Sequence, residues 1–169
     1  RRGYDLPPPA ADINEGFDDW VSKSQFPWER DGYPAWSHHH HAQTWWDYRH
    51  LENILCVHFS DLLDDLDGQM RRISDYLGIA VNEAIWPSLV KSVTFDEMKR
   101  NSEKRAPGAA KGHWKDAKNY FHKGTNRRWE NLLTPAQLTR YDKLITEVME
   151  PGLVRWMKHE EGFLDPKLL

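Results

Sequence analysis

The stretch Phe121-His122-Lys123-Gly124-Thr125-Asn126-Arg127-Arg128-Trp129 gathers an imidazole, an ammonium and two guanidinium groups around one glycine. A phosphate group is held by that combination, a cation plus backbone N–H groups at close range. Glycine lets the backbone approach without a Cβ and tolerates positive φ. The same residues also suit a solvated basic turn, and the turn alone does not decide between the two. Upstream, Phe95 and Met98 stand three apart behind Thr94. On a helix they share one face, which either packs into a core or offers a flat apolar surface to a ligand. The run His38-His39-His40-His41 invites a metal reading. Zinc ligands converge from one side, whereas adjacent helical residues point in different directions. The run therefore reads as a polar loop entering a helix, and no metal ligand is assigned.

The chain has 169 residues, which suggests one domain. Charged residues make up 29% and the net charge is -3. That balance argues against nucleic acid or an anionic membrane as the main partner, although local basic clusters remain able to bind a small polyanion. The one cysteine, Cys56, lies in an apolar run. It reads as a small buried hydrophobe, in keeping with a reducing cytoplasm, and excludes an internal disulfide framework. No apolar run is long enough to suggest a membrane span, and no signal-peptide pattern occurs. The start Arg1-Arg2-Gly3 carries no initiator Met and reads as a processed product, a fragment or a segment of something longer.

Several elements must position these groups. Pro7-Pro8-Pro9 is stiff and extended. Residues 12–22 predict a short amphipathic helix with Ile13, Phe17, Trp20 and Val21 on one side. Residues 26–37 mix turn residues with large rings, among them Trp28 and Trp36, and a loop so rich in aromatics should pack down. A helix is expected over 41–50. Residues 53–59 predict a strand buried on both faces, which needs neighbours that nothing else here provides. A helix over 67–77 should bury Met70, Ile73, Tyr76 and Leu77, with Gly78 as its left-handed cap. Another is expected over 82–92, with Pro87 marking a kink or an early start. Thr94 and Glu97 predict a capping box, and residues 101–118 a mobile loop. Thr134-Pro135-Ala136-Gln137 is a strong helix start. That helix should run to about Met149 and end at Pro151-Gly152.

Four segments, taken in order, resemble the cytosolic-type sulfotransferase family. They are His41-Ala42-Gln43-Thr44-Trp45-Trp46, the run Ile54-Leu55-Cys56-Val57-His58-Phe59-Ser60-Asp61-Leu62, then Val93-Thr94-Phe95-Asp96-Glu97-Met98-Lys99, and finally the basic turn at 121–129. The family patterns they resemble are His-x-x-x-Trp-Trp, an apolar strand ending Tyr-Glu-Asp-Leu, Thr-Ser-Phe-x-x-Met-Lys, and Arg-Lys-Gly-x-x-Gly-Asp-Trp. The resemblance implies an α/β fold. This chain would be the C-terminal portion of a P-loop-like three-layer α/β/α sulfotransferase fold, itself mostly helical with one or few strands. Residues 1–169 would then be part of a single domain, with an irregular aromatic-rich segment at 1–41 and a cofactor-binding helical part at 42–169.

The same resemblance implies 3′-phosphoadenosine 5′-phosphosulfate (PAPS), or its product PAP, as the cofactor. Phe95 would stack on the adenine, with Phe59 and Met98 lining the same pocket; Phe59 lacks the hydroxyl of the family's tyrosine. Lys123 and Gly124 would hold the 3′-phosphate. His122 replaces an arginine with a side chain that is commonly neutral near pH 7. Arg127 and Arg128 replace Gly-Asp. Trp28 and Trp36 are candidates for one side of the pocket of a small-molecule acceptor. The 5′-phosphosulfate loop and the catalytic base belong to the family's N-terminal half. No catalytic residue is therefore assigned here, and the missing N-terminal half of the same domain becomes an expected partner. Neither nucleic acid nor membrane is expected, a homodimer is admitted, and the location implied is cytoplasmic. A reading from another class is a non-catalytic nucleotide-binding or interaction module, a degenerate or truncated homologue. His122, Arg127 and Arg128 speak for it.

Overall fold

Several helices in this chain begin where a side chain accepts from one of the first orphan N–H groups. The computed structural model describes residues 7, 8, 10–106, 108, 120–127 and 129–169. Arg1-Arg2-Gly3, Pro9, Arg128 and, of the expected loop, Pro107 and residues 109–118 lie outside the described residues. The chain divides into two units, one of Arg1–Cys56 with Arg127–Leu169 and one of Val57–Asn126.

In the first unit, α1 spans Ile13–Ser22, and Asp12 accepts from Asn14 N at 2.8 Å, as the amphipathic pattern predicts. The next helix, α2, spans His38–Trp46. It starts three residues earlier than expected and ends sooner, so the four histidines are helical rather than a loop. The cause is Ser37, whose Oγ accepts from His40 N at 2.9 Å and so caps the helix before the histidines. In the same unit, helix α8 spans Pro135–Val148 behind a complete capping box. Thr134 Oγ1 accepts from Gln137 N, and Gln137 Oε1 accepts from Thr134 N at 2.9 Å. Thr134→Ala should cost about 1 kcal/mol of stability by loss of the cap, read as a lower urea midpoint with an unchanged m-value.

Pro151-Gly152 ends α8 as expected, but it also opens a further helix, α9, over Pro151–Lys158. Proline is tolerated in a first turn because its missing N–H would be an orphan there anyway. The apolar side of α9 supplies Leu153 to a core with Trp46, Ile145 and Met149. Trp46 and Trp156 pack with ring centroids 5.6 Å apart. Arg49 lies over the Trp46 ring at 4.4 Å and donates to the Pro166 carbonyl at 2.9 Å, tying in the short 3-10 helix Pro166–Leu168.

The second unit holds α3 (Phe59–Asp64), α4 (Leu66–Tyr76), α5 (Trp86–Ser92), α6 (Phe95–Arg100) and α7 (Ser102–Arg105), each packed on the next. The strand expected at 53–59 is not formed. Residues 54–58 have no ladder pairing, His58 is extended, and Phe59 is already helical. A strand exists only with a partner to take its N–H and C=O groups, and no strand occurs among the described residues. Gly78 does cap α4 at φ +66, with Ile79 N donating to Ser74 O. Tyr76 and Leu77, expected to be buried, are exposed. What joins α4 to α5 is polar. Arg71 bonds both oxygens of Glu83 at 2.8 and 3.0 Å and stacks on Trp86, whose indole donates to Asp67. Helix α5 starts at Trp86 rather than 82, because Pro87 fits only its first turn.

The expected capping box at α6 is also absent. Thr94 Oγ1 donates instead to Lys91 O at 2.9 Å, and Glu97 takes bonds from Asn101 and Arg100. The end of α5, just upstream, offers Thr94 a carbonyl, which competes with the cap. Of the expected mobile loop, residues 102–105 are helical as α7. Among the described residues no helix is long and apolar enough to cross a membrane.

Candidate functional site

Helix α6 is short, but its first and fifth residues lie on one face. That face carries Phe95 and Lys99, with Met98 beside them at the intervening i+3 position. All three are partly buried. Residues 120–126 run past this face. Phe121 is buried and meets Phe95 edge-on, with centroids 6.4 Å apart at 76°, and Tyr120 packs edge-on to Phe121 at 5.1 Å. Gly124 then comes over Phe95 at φ +62. A Cβ at this position would lie 2.4 Å from Phe95 Cδ2 and 2.6 Å from Cγ. Two requirements therefore converge on glycine here, a left-handed backbone and contact with a ring.

Two polar ties hold the ends of this turn. Lys99 Nζ donates to the His122 carbonyl at 3.1 Å and lies 5.7 Å from the Phe95 ring centroid. Asn126 Nδ2 donates to Ser60 Oγ at 2.8 Å. Ser60 follows Phe59 in the first turn of α3, a turn also capped by His58 Nδ1 accepting from Ser60 N. Phe59 is thus placed beside the residue that anchors the far end of the turn, with its ring 51% exposed. The side chains of His122 and Lys123 on the turn are both exposed.

The sequence-predicted residues therefore fall into groups. Phe95, Met98, His122, Lys123 and Gly124 are brought together by α6 and the turn, and Phe59 is linked to them through Ser60 and Asn126. Arg127 belongs to the other unit, at φ +57, with its guanidinium 3.7 Å from Glu130. Arg128 lies outside the described residues. Trp28 and Trp36, also in the first unit, are each 64% exposed. Trp28 stacks on Phe26 at 4.9 Å. The aromatic loop is thus not packed down by these two rings, contrary to expectation. Sequence reasoning missed Phe121, Ser60 and Lys99 as supports. The i, i+4 spacing of Phe95 and Lys99 was a legible hint for the last.

The loop that carries Trp28 and Trp36 is instead anchored by buried polar groups. His39 is 0% exposed and Asp31 1%. His39 Nδ1 donates to Asp31 Oδ2 at 2.5 Å, and Ser37 Oγ donates to Asp31 Oδ1 at 2.5 Å. Ser37 N donates to Glu29 Oε2 at 3.1 Å. The His39 ring packs between Trp20 and Tyr141, at 5.3 and 5.5 Å. Burial raises the Tyr141 phenol above its ordinary value, helped by the negative charges of Asp142 and Asp31. A pair so completely buried is out of reach of any substrate, so its role is to hold residues 29–39 in place.

Compared with known families, residues 19–152 match the sulfotransferase domain. This chain belongs to the sulfotransferase family. Over 127 residues it is 30% identical to a glycolipid sulfotransferase of Mycobacterium bovis (strain BCG / Pasteur 1173P2), covering 75% of this chain and 39% of that protein. It is 29% identical to Sulfotransferase 2A6 of Rattus norvegicus, covering 76% of this chain and 47% of the relative. With Sulfotransferase 1C2 of Homo sapiens it shares 26% identity over 65% of this chain and 38% of the relative. The chain thus spans less than half the length of these sulfotransferases. No solved structure matches it. Membership implies the α/β, P-loop-like sulfotransferase fold, and the helices described above are compatible with a part of it. The sulfotransferase match takes in both the Phe95–Gly124 contact and the Asp31–His39 pair.

Proposed function

We propose that this chain holds the adenine and the 3′-phosphate of PAPS in a sulfotransferase that moves a sulfuryl group to a hydroxyl or amine acceptor. One observation carries the reading. Gly124, in a left-handed conformation, is seated on the Phe95 ring, with the exposed Lys123 next to it. A Cβ would strike that ring, so glycine is what lets the backbone beside Lys123 lie against the surface on which a base would stack. Phe95 stays partly exposed, so ring surface remains for a base to stack on.

When bound, PAPS supplies the sulfuryl group and its leaving phosphate. The chain's own residues bind and orient. Lys123 places an ammonium at the 3′-phosphate as a point charge. Gly124 lets the main chain approach. Phe95 shelves the base, and Met98 and Phe59 give adaptable apolar contact, Phe59 without a hydroxyl to donate. Such binding fixes the donor for in-line attack. The catalytic base, the 5′-phosphosulfate loop and the acceptor pocket are assigned to no residue of this chain beyond the candidates Trp28 and Trp36. A cytoplasmic location belongs to the same proposal.

A non-catalytic nucleotide-binding role is the second reading, favoured by Arg127, whose guanidinium is turned to Glu130. Titrating PAP into the natural full-length protein tests the site itself. Lys123→Ala should weaken PAP binding about tenfold, the scale of one charge-assisted hydrogen bond. Binding indifferent to Lys123, or none by the wild type, would overturn the assignment. Sulfuryl transfer by the same preparation separates the two readings.

A further inference from the structure

We propose that Lys99 is a positioning residue, which sets the turn 122–124 at the height from which Lys123 and the backbone reach a phosphate. The inference rests on the nucleotide reading and deepens it.

The local geometry is the argument. Lys99 stands one helical turn after Phe95 on α6, so both side chains rise from the same face. Its ammonium donates to the His122 carbonyl at 3.1 Å, 23 positions along the chain. It also lies 5.7 Å from the Phe95 centroid, within the range where a ring face attracts a cation. One ammonium thus links the ring that seats Gly124 to the carbonyl that precedes Lys123. With the His122 carbonyl engaged by Lys99 and Gly124 resting on Phe95, the peptide units between them are held against the α6 face at both ends. Asn126 fixes the far end through Ser60. A turn tied at three points is preorganised: the ordering that a phosphate would otherwise impose on it is already done.

The residue type follows from this task. Methionine would fill the same space along the ring but leave the carbonyl without its donor. Arginine can still donate and still lie over the ring. Asp96 and Arg100, also on α6, are exposed. Glu97 is engaged by Asn101 and Arg100. None of the three duplicates the tie.

The test compares PAP with AMP, which lacks the 3′-phosphate, on the natural full-length protein. Wild type, Lys99→Met and Lys99→Arg are titrated with each nucleotide, and thermal melting is followed in parallel. A positioning role predicts that Lys99→Met loses about tenfold in PAP affinity while AMP affinity stays within about twofold, and that Lys99→Arg restores most of the PAP loss. Equal losses for the two nucleotides would overturn the proposal, since that is the pattern of a merely structural residue. So would a Lys99→Met protein that binds PAP as the wild type does, or a loss that arginine does not rescue. Should Lys99→Met fail to fold, Lys99→Arg decides alone: a PAP affinity more than about fivefold below wild type, with normal melting, would overturn it. Wild-type protein that binds no PAP would overturn both this inference and the reading it rests on. Wild-type binding that is blind to Lys99 overturns this one alone.

Discussion

Gly124→Ala is expected to weaken PAP binding about a hundredfold. Two costs combine. A non-glycine residue held at φ +62 costs on the order of 1–3 kcal/mol. The added Cβ would also stand 2.4 Å from Phe95 Cδ2, a ring atom with little freedom to give way. Overpacking of that kind adds roughly 1–3 kcal/mol. The turn escapes both costs by lifting off the ring, and a turn that is seated only part of the time binds in proportion to its seated fraction. The affinity is measured by calorimetric titration. A double-mutant cycle then isolates the steric part. In a Phe95→Ala background the same glycine substitution should cost distinctly less, because the atom it collides with is gone. Wild-type affinity in Gly124→Ala would rule the turn out as a phosphate seat. Equal cost in the two backgrounds would rule out the ring as the obstacle.

In the first unit, Asp31→Ala should destabilise the fold by about 2–5 kcal/mol, because it leaves two buried donors, on His39 and Ser37, without their acceptor at roughly 1–3 kcal/mol each. His39 and Ser37 would both lose their acceptor while remaining buried. The measurement is a urea denaturation at neutral pH, and a loss below about 1 kcal/mol would show that the pair does not hold the loop. Acid gives an independent check. Burial by itself pushes the Asp31 carboxyl up. The hydrogen bonds from His39 and Ser37, with the nearby charges of His39 and His38, outweigh it and hold the group below its ordinary 3.8. A carboxyl lowered in the folded state binds fewer protons there than in the unfolded chain. Its stabilisation is therefore fully present above pH 3.8 and is lost as pH falls below that, through the folded value. Asp31→Asn has no such proton to take up, so its acid profile should be flatter than the wild type's below that pH. Superimposable profiles would remove Asp31 from the explanation.

What could be read in the sequence was chemistry that acts within about four residues. Thr134 announces α8, because a cap needs only its own side chain and the next three N–H groups, and the spacing of Ile13, Phe17, Trp20 and Val21 announces α1. Gly78 announces the end of α4 for the same kind of reason. The Phe95, Met98 and Lys99 spacing places them on one side of α6 before any fold is known. Even local chemistry went wrong where two local partners competed. Ser37 captured the histidine run into α2, and the Lys91 carbonyl took the hydroxyl of Thr94 away from its cap.

Tertiary structure decided the rest. That Gly124 must be glycine could be guessed from the motif, but the ring that forbids a side chain there comes from a helix far upstream. Nothing in the run of four histidines distinguishes His39, which is buried against Asp31, Trp20 and Tyr141 while His40 faces solvent. Trp46 fills the core and its neighbour Trp45 is exposed, although the two are the same residue type in adjacent positions. Caps and helix faces are set by covalent neighbours at fixed distances. Burial, and with it the site, depends on which distant surfaces meet, and that is a property of the folded chain.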